Sequence, residues 1–317
     1  MDIVIIEPLG ISLDKVKTAV KPLEDCGHNV KYYETRTEDV NELAERGKSA
    51  DIIIVANLPL RKNVIENCGR LKMISVAFTG VDHIDTAYCK ERGITVCNAA
   101  GYSTNAVSEL AFGLAISVLR NIPKCDAAVR NGGTKAGLVG SELFGKTFGV
   151  VGTGAIGSRV CSIAKAFGCD VIAYSRTEKE EIRKMGVKYV PLKELLETSD
   201  IVSLHVPATS ETNKLIGKNE IGLMKKNAVL INTARGAVVD SSALAQALES
   251  GAIAGAGIDV FEGEPPIDKN HPILNCKNTV ITPHVAFASD EALYARAGIV
   301  VENIIKWENG SVQNLIC

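Results

Sequence analysis

Three side chains that could bind and protonate a small organic acid each follow a short apolar run of the sequence. They are Arg235, Glu264 and His284. A guanidinium presents a planar fork that matches carboxylate and carbonyl oxygens, and an imidazolium can donate a proton near neutral pH. A glutamate in contact with that imidazole would stabilise its protonated form. Such a set could hold a carboxylate and supply a proton to a neighbouring carbonyl oxygen.

Short apolar runs alternate with amphipathic stretches along nearly the whole chain, which predicts parallel sheets buried on both faces by helices. The predicted strands are Ile3–Ile6, Asp51–Val55, Met73–Phe78, Thr95–Cys97, Thr147–Val151, Asp170–Tyr174, Ile201–His205, Val229–Asn232, Gly255–Asp259 and Thr279–Thr282. The predicted helices are Leu13–Cys26, Ser103–Arg120, Ala155–Phe167 and Asp290–Trp307. Ligands of open parallel sheets bind outside the carboxyl ends of the strands, so Arg235, Glu264 and His284 are expected to converge.

The composition is that of a globular α/β protein with two domains. The chain has 317 residues, of which 46% are hydrophobic and 23% charged, and about 150 residues per domain is typical. Its formal net charge of -2 gives no long-range attraction to nucleic acid or to an anionic membrane. It has neither a signal-peptide start nor an apolar stretch of roughly 18 residues. The nine cysteines lack metal-ligand spacing, which predicts no metal site, reduced thiols and a cytoplasmic location.

A glycine-rich turn follows one predicted strand and begins the next helix. Gly152, Gly154 and Gly157 form the pattern G-x-G-x-x-G. The first permits a tight turn, the second lets the backbone approach a pyrophosphate, and the third lets helix and strand pack closely. The free N–H groups of the helix start can then hold the phosphates. This pattern predicts a bound dinucleotide.

The residues after the next strand bear on which dinucleotide binds. An NAD site usually offers an acid there to the ribose hydroxyls. This chain has Ser175, Arg176 and Thr177 instead. An arginine and two hydroxyls can bind a 2′-phosphate, so NADP(H) is favoured and NAD(H) remains an alternative.

Several motifs, in a fixed order, resemble the D-isomer-specific 2-hydroxyacid dehydrogenases. This family includes D-lactate, glycerate and phosphoglycerate dehydrogenases. The matching stretches are Gly145–Gly157, His205–Pro207, Ile231–Gly236, Asp259–Pro265 and Thr282–His284. They are spread over most of the chain.

The resemblance implies a fold and an assembly. It implies an α/β protein with two Rossmann-like domains, in which a doubly wound NAD(P)-binding domain, 99–289, is inserted into a smaller flavodoxin-like lid or substrate domain, 1–98 plus 290–317. The terminal helix, for which the residues alone leave two possible positions, would then return to the first domain. It also implies a homodimer with the helix Ser103–Arg120 at the interface, although a helix buried within one domain is the alternative.

The resemblance also implies roles for residues around the predicted site. Hydride transfer between the nicotinamide and a 2-oxo or 2-hydroxy acid would use His284 as acid or base, with Arg235 on the substrate and Glu264 against His284. The cofactor would contact Ala155 and Ile156 at the pyrophosphate, Thr233 and Ala234 at the nicotinamide ribose, Asp259 at the carboxamide, and His205, Val206, Pro207 and Thr79 elsewhere. The backbone of 78–81, including Phe78 and Gly80, would bind the substrate carboxylate.

Two loops are expected to face the substrate side chain, 57–60 and 77–80. Phosphoglycerate dehydrogenases tend to place arginines there, whereas this chain has Leu58 and Phe78, with Arg61 only nearby. A dianionic substrate would be poorly paired. Phe287 resembles the aromatic residue of some hydroxypyruvate and glyoxylate reductases. A small substrate of that kind is therefore favoured over phosphoglycerate, which is the alternative.

Two further functions remain open. A dehydrogenase of the same fold acting on formate or phosphite would use the same Arg and His. A nucleotide-sensing scaffold, like the corepressors that share this fold, is the alternative from a different class, and it is disfavoured because such proteins carry extended tails. Among the other histidines, His28 and His271 are expected in surface loops.

Overall fold

The computed structural model of this chain describes residues 1–264 and 266–317. Pro265, the last residue of the Asp259–Pro265 motif, therefore lies outside the described residues. The chain divides into two compact units. Unit 1 comprises 1–103 and 288–317, and unit 2 comprises 104–287.

Unit 1 is built on a five-stranded parallel sheet in the order β2-β1-β3-β4-β5. Its strands are β1 (Asp2–Ile5), β2 (Asn29–Tyr32), β3 (Ile52–Val55), β4 (Met73–Val76) and β5 (Thr95–Cys97). Its helices are α1 (Leu13–Asp25), α2 (Val40–Gly47), α3 (Lys62–Ile65), α4 (Thr86–Glu91) and the last helix of the chain, α12 (Asp290–Glu308). Every residue of β3 and β4 is buried because helices cover both faces of the sheet. α12 packs against α1 and β4.

Unit 2 contains a seven-stranded parallel sheet in the order β12-β11-β10-β9-β6-β7-β8. Its strands are β6 (Thr147–Val151), β7 (Asp170–Tyr174), β8 (Lys188–Tyr189), β9 (Ile201–Leu204), β10 (Val229–Asn232), β11 (Gly255–Ile258) and β12 (Thr279–Ile281). Its helices are α5 (Thr104–Leu119), α6 (Ile122–Arg130), α7 (Ala155–Ala166), α8 (Glu180–Lys184), α9 (Leu192–Thr198), α10 (Lys218–Leu223) and α11 (Ser241–Glu249), with one-turn 3₁₀ helices at Gly236–Val238 and Pro272–Asn275. The strand order reverses between β6 and β9, and α/β sheets bind ligands at such a point.

The α/β fold with two Rossmann-like sheets is the predicted fold class, and the predicted strands agree with the observed ones to within one or two residues. The edge strands β2 and β8 were not predicted. The residues of β2 alternate between exposed and half-buried and give no apolar run, and β8 is only two residues long. The helix expected over Ser103–Arg120 is followed by a second helix. Asn121, in the left-handed region at φ 53°, separates the two, and Pro123 lies in the first turn of α6, where its missing N–H needs no acceptor.

No single helix of the described residues is long and apolar enough to cross a membrane. The pair α5 and α6, bent by 59° at the break between them, meets the length and composition criteria only when taken together.

Candidate active site

The three residues predicted to do chemistry lie at one edge of the sheet of unit 2. Arg235 follows β10, Glu264 follows β11 and His284 follows β12. These strands are neighbours and parallel, with Val229 in register with Gly255 and Ala256 in register with Thr279. Their carboxyl ends therefore open on the same edge of the sheet.

His284 and Glu264 are in direct contact. His284 Nδ1 lies 2.8 Å from Glu264 Oε1, and the Glu264 side chain is only 13% exposed while that of His284 is 35% exposed. The ring of Phe287 meets the imidazole edge-on, with the centroids 5.7 Å apart. The carboxylate thus fixes one ring nitrogen, and Nε2 is left to exchange a proton with a ligand.

Asp259 holds the loop that carries His284. Its fully buried carboxylate accepts hydrogen bonds from the Thr282 hydroxyl (2.6 Å) and from the N–H groups of Val285 and Ala286 (both 2.9 Å), and its carbonyl accepts the His284 N–H (2.8 Å). His284 itself is in the left-handed region at φ 53°. Such a backbone is unfavourable for a residue with a Cβ, and the surrounding hydrogen bonds sustain it here.

Asn232 holds the turn that carries Arg235. Its buried amide accepts from the Ala234 N–H and donates to the Arg235 carbonyl, both at 3.0 Å. The next residue, Gly236, packs so closely that a Cβ there would lie 2.1 Å from the carbonyl carbon of Phe261. The turn of Arg235 therefore contacts the segment that leads to Glu264, and only glycine fits between them.

The glycine-rich turn between β6 and α7 has the shape that a dinucleotide needs. Gly152 has φ 94°, and a Cβ there would meet the His205 carbonyl at 2.5 Å, while a Cβ on Gly157 would meet the Gly152 carbonyl at 1.9 Å. A Cβ on Gly154 would meet nothing within 4 Å. The first N–H groups of α7, including those of Ala155 and Ile156, have no acceptor within the helix, so they are available to a phosphate.

A second observation also fits a cofactor at this edge of unit 2. The Thr233 hydroxyl is buried without a hydrogen-bond partner among the described residues. A buried hydroxyl of this kind is costly unless a ligand or water satisfies it. The glycine turn and this hydroxyl are both compatible with the predicted contacts to a pyrophosphate and a ribose.

Beyond β7, Ser175 is half-buried and Arg176 and Thr177 are exposed. The Arg176 guanidinium forms an ion pair with Glu211, with Nη1 2.5 Å from Oε2. The guanidinium that was expected to bind a 2′-phosphate is thus paired with a carboxylate of the protein.

His205 lies after β9, against the glycine turn. Its Nε2 is 2.8 Å from the buried Ser203 hydroxyl, and its neighbour Val206 also approaches Gly152, while Pro207 is exposed. Burial lowers the pKa of His205 to about 3, and burial likewise lowers the pKa of His83 to about 4. Both rings are therefore neutral near pH 7, and neither is suited to donate a proton as an imidazolium.

The remaining predicted site residues belong to unit 1. After β4, the N–H groups of Thr79, Gly80 and Val81 make no hydrogen bond to any described residue, and Asn98 holds this loop by donating to the Thr79 carbonyl at 2.7 Å. Phe78 lies beneath the guanidinium of Arg296, 4.9 Å from the ring centroid. Leu58, after β3, is fully buried in the hydrophobic core of unit 1, so its side chain is not available to a substrate.

Some residues that shape this site were not predicted from the sequence. Asn232 lies inside a matched motif, and its position before the Arg235 turn could have indicated its role. Tyr189 could not have been found in this way: its hydroxyl is 2.9 Å from that of Thr153 in the glycine turn and accepts the Lys179 N–H.

Across the described ranges 1–264 and 266–317, no three His, Cys, Asp or Glu side chains gather as metal ligands.

His271, expected in a surface loop, is buried instead. Its Nε2 lies 3.1 Å from Glu262 Oε2, and its ring meets Phe261 edge-on at 5.2 Å. Glu262 also accepts from the Ser241 hydroxyl at 2.5 Å. These contacts anchor the segment that leads to Glu264, which explains why this histidine is not on the surface.

The sequence of this chain is similar to one family model and to several known proteins. Residues 112–286 match the family model described as the NAD binding domain of D-isomer specific 2-hydroxyacid dehydrogenases. The chain is 43% identical over 280 residues to a glyoxylate reductase of Thermococcus litoralis, covering 85% of this chain and 84% of that protein. It is 41% identical over 298 residues to a D-3-phosphoglycerate dehydrogenase of Methanocaldococcus jannaschii, covering 93% of this chain but 56% of that longer protein.

A solved structure is also similar over the full length. It is that of an acyclic imino acid reductase (Bsp5) in complex with NADPH and D-Arg, with a TM-score of 0.89, 32% sequence identity and coverage of 100% of both chains.

Proposed function

This chain belongs to the D-isomer-specific 2-hydroxyacid dehydrogenase family, and we propose that it is an NAD(P)-dependent reductase of small 2-oxo acids such as glyoxylate or hydroxypyruvate. The observation that carries the proposal is the 2.8 Å contact between Glu264 and His284. This contact lies at the edge of the sheet that also carries Arg235. The same unit contains the glycine turn, whose shape suits a dinucleotide. An acid–base pair and a guanidinium are what reduction of a 2-oxo acid requires.

The residues that would hold the dinucleotide lie in unit 2. Gly152, Gly154 and Gly157, with the N–H groups of Ala155 and Ile156, would take the pyrophosphate. The Thr233 hydroxyl and the backbone of Ala234 would take the nicotinamide ribose, and His205, Val206 and Pro207 would line the cofactor. Asp259 would lie near the carboxamide, and Thr79 of unit 1 would add a contact. The bound cofactor supplies the hydride.

The protein's own side chains would then bind and protonate the substrate. Arg235 would bind the carboxylate and the carbonyl oxygen through its two parallel N–H groups. The protonated His284 would donate a proton from Nε2 to the carbonyl oxygen as the hydroxyl forms, and would accept it in the reverse direction. Glu264 would hold Nδ1–H, orient the ring and stabilise the imidazolium.

Unit 1 would add neutral donors for the substrate carboxylate. The unused N–H groups of Thr79, Gly80 and Val81 are three successive donors, which is an arrangement suited to an anion. The ring of Phe78 would border the substrate, whereas Leu58 could contribute only through its backbone.

We propose NADP(H) as the preferred cofactor because Ser175, Arg176 and Thr177 stand directly after β7, where an NAD site usually has an acid. Arg176→Ala is expected to raise the KM for NADPH roughly 10- to 100-fold, the size of a lost charge-assisted hydrogen bond, and to change the KM for NADH little. Glu211→Gln, which frees Arg176, is the matched control and is expected to lower the KM for NADPH. Equal losses with the two cofactors in Arg176→Ala would contradict the preference.

The function is tested by steady-state kinetics on a panel of 2-oxo acids. With NADPH, glyoxylate and hydroxypyruvate are expected to give a kcat/KM at least tenfold above that for 3-phosphohydroxypyruvate, because an unpaired phosphate is costly to desolvate. A preference for 3-phosphohydroxypyruvate would favour the phosphoglycerate dehydrogenase alternative. Absence of activity on every acid would favour a nucleotide-sensing scaffold.

We also propose a homodimer formed through unit 2. Several apolar side chains there are exposed, among them Val129 (74%), Val139 (87%) and Phe144 (75%). A pocket of about 250 Å³ at the end of α5 is lined by Phe144, Phe167 and Leu119 among others. Exposed apolar surface of this kind is typical of an interface, and light scattering would give the mass in solution.

The nine free cysteines support a reducing compartment, and we propose the cytoplasm.

A further inference from the structure

Glu7 is a buried carboxylate in unit 1 that no part of the proposed reaction uses. It lies two residues after β1 and is only 2% exposed. Carboxylates are almost never buried this deeply without partners that offset the loss of hydration. Its partners therefore indicate what it does.

One oxygen of Glu7 accepts three successive backbone N–H groups from the loop after β3. The distances from Oε1 are 2.9 Å to Ala56, 2.8 Å to Asn57 and 2.8 Å to Leu58. Three converging N–H groups form a concave anion site of the kind that binds phosphate or carboxylate in other proteins. In this chain the anion is part of the protein.

The other oxygen of Glu7 binds Arg36. Arg36 Nη1 is 2.7 Å from Oε2 of Glu7 and 2.5 Å from the side-chain oxygen of Asn57. Glu7 and Arg36 together therefore fix both the backbone and a side chain of this loop. Arg36 also reaches the exposed Glu38 at 3.2 Å.

The loop after β4 differs from the loop after β3 because its backbone N–H groups are not bound by any side chain of the described residues. The N–H groups of Thr79, Gly80 and Val81 have no partner among the described residues, whereas those of 56–58 are all occupied by Glu7. Two of the loops at the carboxyl edge of the sheet of unit 1 can thus present anion-binding donors, and one is already filled.

We propose that Glu7 is a positioning and specificity-determining residue: it fills the anion site of loop 56–58 and thereby disfavours 2-oxo acids that carry a second negative charge. This inference rests on the proposed function, since it assigns the loop to the substrate side chain. A substrate with one carboxylate can use the free donors of 79–81. A second anionic group would find its donors occupied and a negative charge in place.

The charges around Glu7 come from several elements. Arg36 and the buried Arg296 of α12 are the cations, and Glu38 is a second carboxylate near Arg36. Burial lowers the pKa of Arg296, and Glu7 opposes that effect. Removing the charge of Glu7 would leave Arg36 available to a substrate anion, whereas removing Arg36 would leave Glu7 less well compensated.

The test compares two variants with opposite expected effects. The quantity measured is the ratio of kcat/KM for glyoxylate to that for each of two acids with a second anionic group, oxaloacetate and 3-phosphohydroxypyruvate. Glu7→Gln keeps the shape and an acceptor oxygen, and is expected to lower the ratio about tenfold, the scale of removing one charge near a bound anion. Arg36→Gln is expected to raise it. A loss of stability alone would not shift the ratio in opposite directions.

Glu38→Gln is the control, because it removes the exposed partner of Arg36, and its ratio is expected to stay within about twofold of the wild type. Arg36 is 43% exposed, so Arg36→Gln still tests this ion pair if Glu7→Gln does not fold. Unchanged ratios in an active enzyme, or shifts in the same direction in both variants, would overturn the role of Glu7 and leave the proposed function standing. A wild type that reduces none of the acids would overturn the proposed function, and this inference with it.

Discussion

Replacing His284 by asparagine is expected to lower kcat about 1,000-fold, within the range measured for loss of a general acid, and to leave the KM for the dinucleotide within about twofold. The reason is that the imidazole supplies the proton to the carbonyl oxygen, whereas the glycine turn after β6 holds the cofactor. Steady-state kinetics with glyoxylate and NADPH would measure both quantities.

Asparagine is the informative substitution because of the backbone at this position. His284 has φ 53°, a region in which asparagine is several-fold enriched and alanine is strained. The Asp259 carboxylate binds the neighbouring N–H groups and not the imidazole, so the loop should keep its conformation. A loss of activity would then report the missing proton donor and not a collapsed loop.

Val285→Ala is the matched control in the same loop. The Val285 side chain is 40% exposed, so its truncation is expected to change stability by less than about 0.5 kcal/mol and kcat by less than about threefold. If His284→Asn kept more than a tenth of the wild-type kcat, another group would have to donate the proton. The neutral His205 and His83 are poor replacements, since burial holds the pKa of each at about 3 and about 4.

The parts of this fold that the sequence predicted are those with a local signal. Buried strands such as Ile52–Val55 are continuous apolar runs, and Gly152 and Gly157 are glycines because a Cβ would collide with backbone. The positions of Arg235, Glu264 and His284 followed from one rule, that residues after neighbouring parallel strands share an edge.

What could not be predicted depends on contacts between distant residues. Asp259 was expected near the cofactor, and its motif does not reveal that its carboxylate binds the loop 23 to 27 residues later. His271 was predicted to lie at the surface, but Glu262 and Phe261 enclose it. Glu7 gave no signal at all, because its three donors lie about 50 residues further along the chain. Burial of a charge is decided by such partners, which composition and periodicity do not contain.

The Arg235 guanidinium carries the second large expected effect. Arg235→Lys is expected to reduce kcat/KM for glyoxylate by roughly 100- to 1,000-fold, the cost of one donor to an oxygen that gains charge in the transition state, with the KM for NADPH little changed. Lysine keeps the charge but loses the planar pair of N–H groups that can bind a carboxylate and a carbonyl oxygen together. Steady-state kinetics with both substrates varied would separate the two KM values.

The turn that carries Arg235 makes this substitution a clean one. Asn232 fixes the backbone through Ala234 and the Arg235 carbonyl, and the guanidinium itself makes only one hydrogen bond within the protein, to the Ala234 carbonyl at 2.8 Å, among the residues described. A lysine there should therefore leave the turn intact. Arg92→Lys, at an exposed position after α4, is the control and is expected to match the wild type. If Arg235→Lys kept kcat/KM within threefold of the wild type, the substrate carboxylate would have to bind elsewhere, and the N–H groups of 79–81 would be the remaining donors to examine.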